Sequence, residues 1–306
     1  MANLLYILSH ILLPIFLQII IGYGVQKKLK LDISTLTKIQ LYVLIPALIF
    51  VKLYSSALEG SLIWKIVLFT VVLFVILFIL SIILAKLMGF TKKKEKAFIN
   101  AITLRNQGNY GIPLITLVFA GEMGATALAI HMVVLFTTNL LLNTVGLYNA
   151  SSGTYSFKET VIKIIRLPMI YAIIIGFIFR GFAIKLYEPI ETTMDIMSMG
   201  VVPLALFTLG AQLSETRIKL SDISLSIATF GRLILSPLVA FGLVKLFGIE
   251  GIMAQVLILG AAAPTAVNSV LLSIEFDGDY EYASQIVMLT TILSIVTVSI
   301  IIQLIV

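Results

Sequence analysis

The sequence predicts an all-α membrane protein of ten transmembrane helices, arranged as two inverted five-helix repeats with broken, crossed helices 4 and 9. Three observations lead there. The 306 residues are 60% hydrophobic and only 12% charged, with a mean hydropathy of +1.12, where a soluble domain carries roughly 25% charged residues. Apolar runs long enough to cross a bilayer follow one another along the chain. Prolines, glycines and amides then interrupt those runs at matching places in the two halves. Composition alone excludes a water-soluble enzyme, because no soluble shape hides so much apolar surface. Cysteine is absent, which removes disulfides, thiolate metal sites and thiol catalysis.

The apolar runs give spans at 4–26, 36–54, 62–88, 97–119 and 124–147, then 161–182, 192–213, 222–246, 252–273 and 282–305. The first is not a secretory signal, since its leading residues lack Lys and Arg and the basic KKLK follows it. Cationic residues set the orientation. With the N-terminus outside, the inner loops gather Lys27, Lys28, Lys30 and Lys38, then Lys86, Lys92, Lys93, Lys94 and Lys96. Lys158, Lys163, Arg166, Arg217 and Lys219 complete that set. Only Lys52, Lys65, Arg180, Lys185 and Lys245 fall outside. Both termini are therefore expected outside a cell membrane, with the KKKEK cluster as an anchor.

GTYSFKE at 153–159 is the most polar stretch near the middle, so the repeats are expected at 1–150 and 151–306. Pro14 is mirrored by Pro168, IPALIF at 45–50 by VPLALF at 202–207, and GNYGIPL at 108–114 by AAAPTAVNS at 261–269. An odd number of spans per repeat makes the second copy enter the membrane from the opposite face, a pattern typical of secondary transporters.

Span 4 carries RNQGNYGIP at 105–113. Gly108, Gly111 and Pro113 weaken a helix in mid-span, and a broken helix is tolerated there only beside protein or a wet cavity. Its free ends offer N–H and C=O groups to a ligand. Asn106 and Asn109, three apart, share a face. Span 9 repeats the theme with Pro264, Thr265, Asn268 and Ser269 behind three alanines that permit close backbone approach. Two breaks in corresponding places are expected to cross near the midplane and hold the substrate. Asn106, Asn109, Asn268, Thr265 and Arg105 are the candidate substrate-binding residues, with Gly108, Gly111, Pro113 and Pro264 keeping the helices open. Arg105 either attracts a carboxylate or snorkels to the inner interface. Arg232 and His131 read as packing partners, and Asn139 and Asn143 as a join between helices or a homodimer contact.

At these residues a resemblance becomes specific. N-x-x-x-x-G-I-P-L at Asn106–Leu114, PLALFTLG at 203–210 and AAAPTAVNS at 261–269 resemble the auxin efflux carrier family, which includes the plant PIN-type carriers. The resemblance implies a five-plus-five inverted repeat, a scaffold part, a transport part, and crossed fourth and ninth helices around the substrate. It implies indole-acetate-type anions in plants and dicarboxylates such as malate and malonate in prokaryotes. Asn106 and Pro113 match the family's crossover and helix-break positions, and Pro264 its first ninth-helix proline. The plant carriers have a second proline where this chain has Asn268. Their long central loop is reduced here to the short stretch near 148–160.

No P-loop, HExxH, GxSxG or Cys/His ligand cluster occurs, so neither ATP hydrolysis nor a catalytic centre is expected, and no cofactor. The expected activity is secondary transport of small organic anions, with export driven by membrane potential because no Asp or Glu falls mid-span. Sodium or proton coupling of a dicarboxylate, or a non-transporting sensor or channel of the same fold, are the alternatives. The expected partners are the anion, the lipid bilayer and a second copy of the chain; nucleic acid is not among them.

Overall fold

A computed structural model describes residues 4–56, 60–151, 157–216 and 222–306. Those residues are helical apart from connecting turns, and their one β-type pairing is a single isolated bridge. Seven continuous helices are long and apolar enough to cross a membrane. They are α1 (Leu4–Leu29), α2 (Ile33–Tyr54), α3 (Gly60–Leu87), α6 (Met123–Ser151), α9 (Glu188–Leu213), α10 (Ile223–Leu246) and α13 (Tyr280–Ile305). Shorter pieces complete the chain: α4 (Lys92–Thr103), α5 (Ile112–Val118), α7 (Phe157–Ile165), α8 (Pro168–Gly181), α11 (Gly251–Ala262) and α12 (Asn268–Glu275). Arg217 and Lys219, used above for orientation, lie outside the described residues, as does most of GTYSFKE.

Exposed large apolar side chains such as Leu17, Ile20, Ile79, Leu238 and Val296 cover the outside of the bundle. In water such a surface would drive association; against acyl chains it is neutral. Inside, small residues let backbones meet. A Cβ on Gly210 would lie 1.9 Å from the Ile19 carbonyl oxygen, and one on Gly22 would lie 2.2 Å from that of Phe207. Helices α1 and α9 therefore touch backbone to backbone, as small residues allow in membranes.

Proline shapes the helices more than it breaks them. Widened π-turns at Ile7–Leu12, Gln40–Leu44, Gln107–Gly111 and Gly231–Leu235 are each followed two residues later by Pro14, Pro46, Pro113 or Pro237. Proline lacks the N–H and crowds the carbonyl one turn back, and a wider turn relieves both. A fifth π-turn, Leu142–Gly146, has no proline. There Asn143 and Thr144 donate to the carbonyls of Asn139 and Leu140, four residues back, in competition with the helix ladder.

The run read as one span at 161–182 is two helices. Leu167 is extended (φ −76°, ψ 117°) and Pro168 opens α8, because a residue before proline is pushed out of the helical region. Spans 4 and 9 are likewise two pieces each, α4 with α5 and α11 with α12.

One end of the bundle collects the charged turns. Lys93 pairs with Asp277 at 2.5 Å and Lys94 with Asp222 at 2.6 Å, and Gln26 reaches Glu215 at 3.5 Å. The turns after α1, α3, α9 and α12 therefore share one end. Arg180 donates to Ser56, and Tyr54 to the Ile184 carbonyl, at the other.

Candidate substrate site at the two helix breaks

At 104–106, after α4, and at 263–266, after α11, the chain leaves the helix, and the two short gaps lie antiparallel against each other. Arg105 bridges Thr265. The Asn106 amide donates to the Pro264 carbonyl at 2.8 Å, and the Ala266 amide to that of Leu104 at 2.9 Å. Each gap thereby satisfies backbone groups that the other exposes, which is what permits unwound chain at this depth.

A helix ending in apolar surroundings leaves carbonyls without partners, and here side chains supply them. The Thr265 hydroxyl donates to the Ala101 carbonyl at the end of α4, 2.8 Å away. Gln107 does the same for Gly260 at the end of α11, at 2.9 Å. Arg232, fully buried on α10, serves both ends: Nη1 donates to Ile102 and Nη2 to Ala261 and the Ser236 hydroxyl. Ser236 donates in turn to Ala261 at 2.9 Å.

The second half of the first broken helix is fixed from its start. Asn106 caps it, its Oδ1 accepting from the Asn109 amide at 3.0 Å. Buried His131 donates from Nε2 to the Gln107 carbonyl at 2.9 Å. Gly111 makes room for that ring, since a Cβ there would stand 2.8 Å from His131 Nε2.

Beside the crossing lies a cavity of about 210 Å3. Arg105, Asn106, Gly108, Asn109 and Asn268 line it, five residues singled out from the sequence. Gln40, Gln107, Thr138, Asn139, Asn143 and Gln212 line it too. Thr265 does not; it is wholly buried behind the wall with its hydroxyl spent on Ala101. Gly111, Pro113 and Pro264 also stand behind the lining and shape the breaks. Arg105 is 3% exposed, so it stays in the interior and does not snorkel. Asn139 and Asn143 donate within their own helix while lining the cavity.

Gln40 was not visible as a site residue. It is buried on α2 and donates to Asn109 Oδ1 at 2.9 Å, while Asn109 Nδ2 approaches Gln212 Oε1 on α9 at 3.4 Å. A second cavity of about 720 Å3 opens from the charged end and shares Thr37, Gln212 and Val267 with the first. The amide chain thus stands where the inner cavity meets its approach.

Several polar atoms on the lining residues have no protein partner: Arg105 Nε and Nη2, Asn106 Nδ2, Thr138 Oγ1 and Gln107 Oε1. The first three can only donate, the hydroxyl can do either, and the Gln107 oxygen can only accept, so donors predominate. Buried donors without acceptors are costly, so a cavity lined by them is completed by a ligand or solvent that supplies oxygen acceptors.

Comparison with known proteins identifies the family. A family profile described as "Membrane transport protein" matches residues 7–158 and 154–302. An uncharacterized transporter of Methanothermobacter thermautotrophicus is 28% identical over 269 residues, covering 87% of each chain. One of Methanocaldococcus jannaschii is 28% identical over 302 residues, covering 94% of this chain and 96% of its own. A Rhizobium meliloti protein provisionally named a malonate transporter is 28% identical over 112 residues, 36% of this chain and 35% of its own. The chain is a multi-span membrane protein of the auxin efflux carrier-like membrane transport family.

Proposed function

We propose that the protein is a secondary carrier of small organic anions, most naturally carboxylates, which bind in the cavity beside the crossed breaks and pass by alternating access. The observation that carries this reading is Arg105, a buried guanidinium lining the cavity with Nε and Nη2 unpartnered. Among the described residues no Asp or Glu side chain is buried, so a bound anion would be the first counter-charge this guanidinium meets. Carboxylates match a guanidinium fork with two oxygens. The cavity is smaller than the roughly 300–1,000 Å3 of drug-sized sites, which suits a short acid better than an indole ring. The malonate name of the partial relative supports the same class.

In this reading α4 with α5 and α11 with α12 are the fourth and ninth of ten spans, in two inverted repeats covering 1–150 and 151–306, with both termini outside. The cavity lining holds no Asp, Glu or His, so no proton seat lies beside the substrate. A monovalent anion leaving a cell that is negative inside gains about 2.3 kcal/mol per 100 mV. That sustains a gradient of about 50-fold without a coupled ion.

The test is counterflow of labelled malonate and a set of mono- and dicarboxylates in liposomes, with pH, sodium and potential clamped separately. Saturable flux stimulated by substrate on the far side, and following potential alone, is expected. Single-channel currents, or no flux of any of these anions, would overturn the carrier reading. Flux following a pH or sodium gradient at zero potential would overturn uncoupled export.

A further inference from the structure

Arg232 lies outside the cavity lining, yet it binds the ends of both interrupted helices. The carbonyls it takes, Ile102 near the end of α4 and Ala261 near the end of α11, carry the negative ends of two helix dipoles. In broken-helix carriers such ends, with unwound carbonyls, form the place where a sodium ion is coordinated. Here a fixed guanidinium on α10 fills it, backed by Ser236, which reaches the same Ala261 carbonyl. No carboxylate lies among the buried side chains described, so Arg232 is held by carbonyls, a hydroxyl and helix ends, the surroundings a bound monovalent cation would have.

We propose that Arg232 is a tethered cation which occupies the junction of the two half-helix C-termini, and that removing it turns that junction into a vacant site for a small monovalent cation. Arg232 is a positioning residue in this account: it sets the relation of α4 to α11 and touches no substrate. The flux readout rests on the carrier reading above; the unfolding readout does not. The native protein needs no external cation at this position because it carries its own.

The experiment compares purified native protein with Arg232→Lys, Arg232→Gln and Arg232→Ala. Thermal unfolding is followed while sodium, potassium or guanidinium replaces choline at constant ionic strength. Native protein and Arg232→Lys are expected to be indifferent to the exchange. Arg232→Gln keeps hydrogen-bond donors but no charge, and Arg232→Ala keeps neither; both are expected to unfold earlier and to be restored by guanidinium or sodium. In liposomes the same two variants should lose about 30-fold in flux, the equivalent of a well-placed charge at a helix C-terminus, and recover with the cation. If Arg232→Ala cannot be purified, the Lys and Gln pair decides. Equal behaviour of Lys and Gln, or variants no more cation-responsive than native protein, would overturn the proposal. So would a sodium requirement for stability in the native protein. Absence of flux in native protein would count against the carrier reading and leave the unfolding comparison intact.

Discussion

Replacing Arg105 by glutamine should move stability and binding in opposite directions. Without ligand, the guanidinium is a buried charge with two unpartnered nitrogens and no buried carboxylate described near it. Removing an uncompensated charge favours the folded state, so the empty variant should unfold at higher temperature than the native protein. With ligand the sign reverses. A hydrogen bond to a charged group contributes about 1.5–3 kcal/mol, and the loss of a two-pronged contact exceeds about 3 kcal/mol, more than 100-fold in affinity. At a ligand concentration 100 times the native Kd, native protein gains about 2.7 kcal/mol. A variant weakened 100-fold gains only about 0.4 kcal/mol from the same relation. Thermal unfolding with and without malonate reads both effects in one assay. An unchanged ligand shift in Arg105→Gln, or an empty variant less stable than native protein, would refute the reasoning.

Asn106→Ala removes the cap on the Asn109 amide and an unpartnered Nδ2. Stability should fall by about 1 kcal/mol, and equilibrium binding should weaken by roughly 10- to 100-fold. Gly210→Ala forces a methyl against the Ile19 carbonyl and should cost about 1–3 kcal/mol in unfolding experiments. The control Gly24→Ala meets nothing within 4 Å and should gain about 0.5–1 kcal/mol. Burial raises the Asp222 carboxyl, but hydrogen bonds from Lys94 and Ser224 outweigh it and hold the group below its ordinary value. Its contribution is therefore present above the unfolded value near 3.9 and is lost as pH falls through the lower folded value. For a half-exposed pair that is about 0.2–1 kcal/mol. Melting from pH 6 downward should show a fall below about pH 4 that is reduced in Asp222→Asn.

The breaks were legible because they violate local rules. Glycine, proline and amides in mid-span at 105–113 and 261–269 have no reason to be there unless the helix stops. The partners of those breaks were not. Gln40 is one amide in an apolar helix, and its face is fixed by how α2 packs, not by its neighbours in sequence. Arg232 looked like a packing partner because nothing in its own segment shows that two distant helices end beside it. Thr265 shows the opposite case. Its polarity suited a ligand, but a carbonyl left unpaired by α4 claims the hydroxyl first. The division of 161–182 could have been read from Pro168, yet continuous apolarity hides a two-residue interruption.

The backbone contact at Gly22 and Gly210 has a mechanical consequence. Two helices that meet with no side chains between them cannot slide without collision, so α1 and α9 form one stiff pair. Gln212 sits on that pair, whereas Asn109 lies in the π-turn that follows the first break. Neutral amide hydrogen bonds join Asn109 to its surroundings, from Gln40 of α2 at 2.9 Å and to Gln212 of α9 at 3.4 Å. Each is worth about 1 kcal/mol net, and water or a carboxylate can replace it. A displacement of the breaks relative to that pair would therefore meet a soft joint at the amides and a stiff one behind it. The polar contacts nearest the cavity are the ones that thermal energy can most readily exchange.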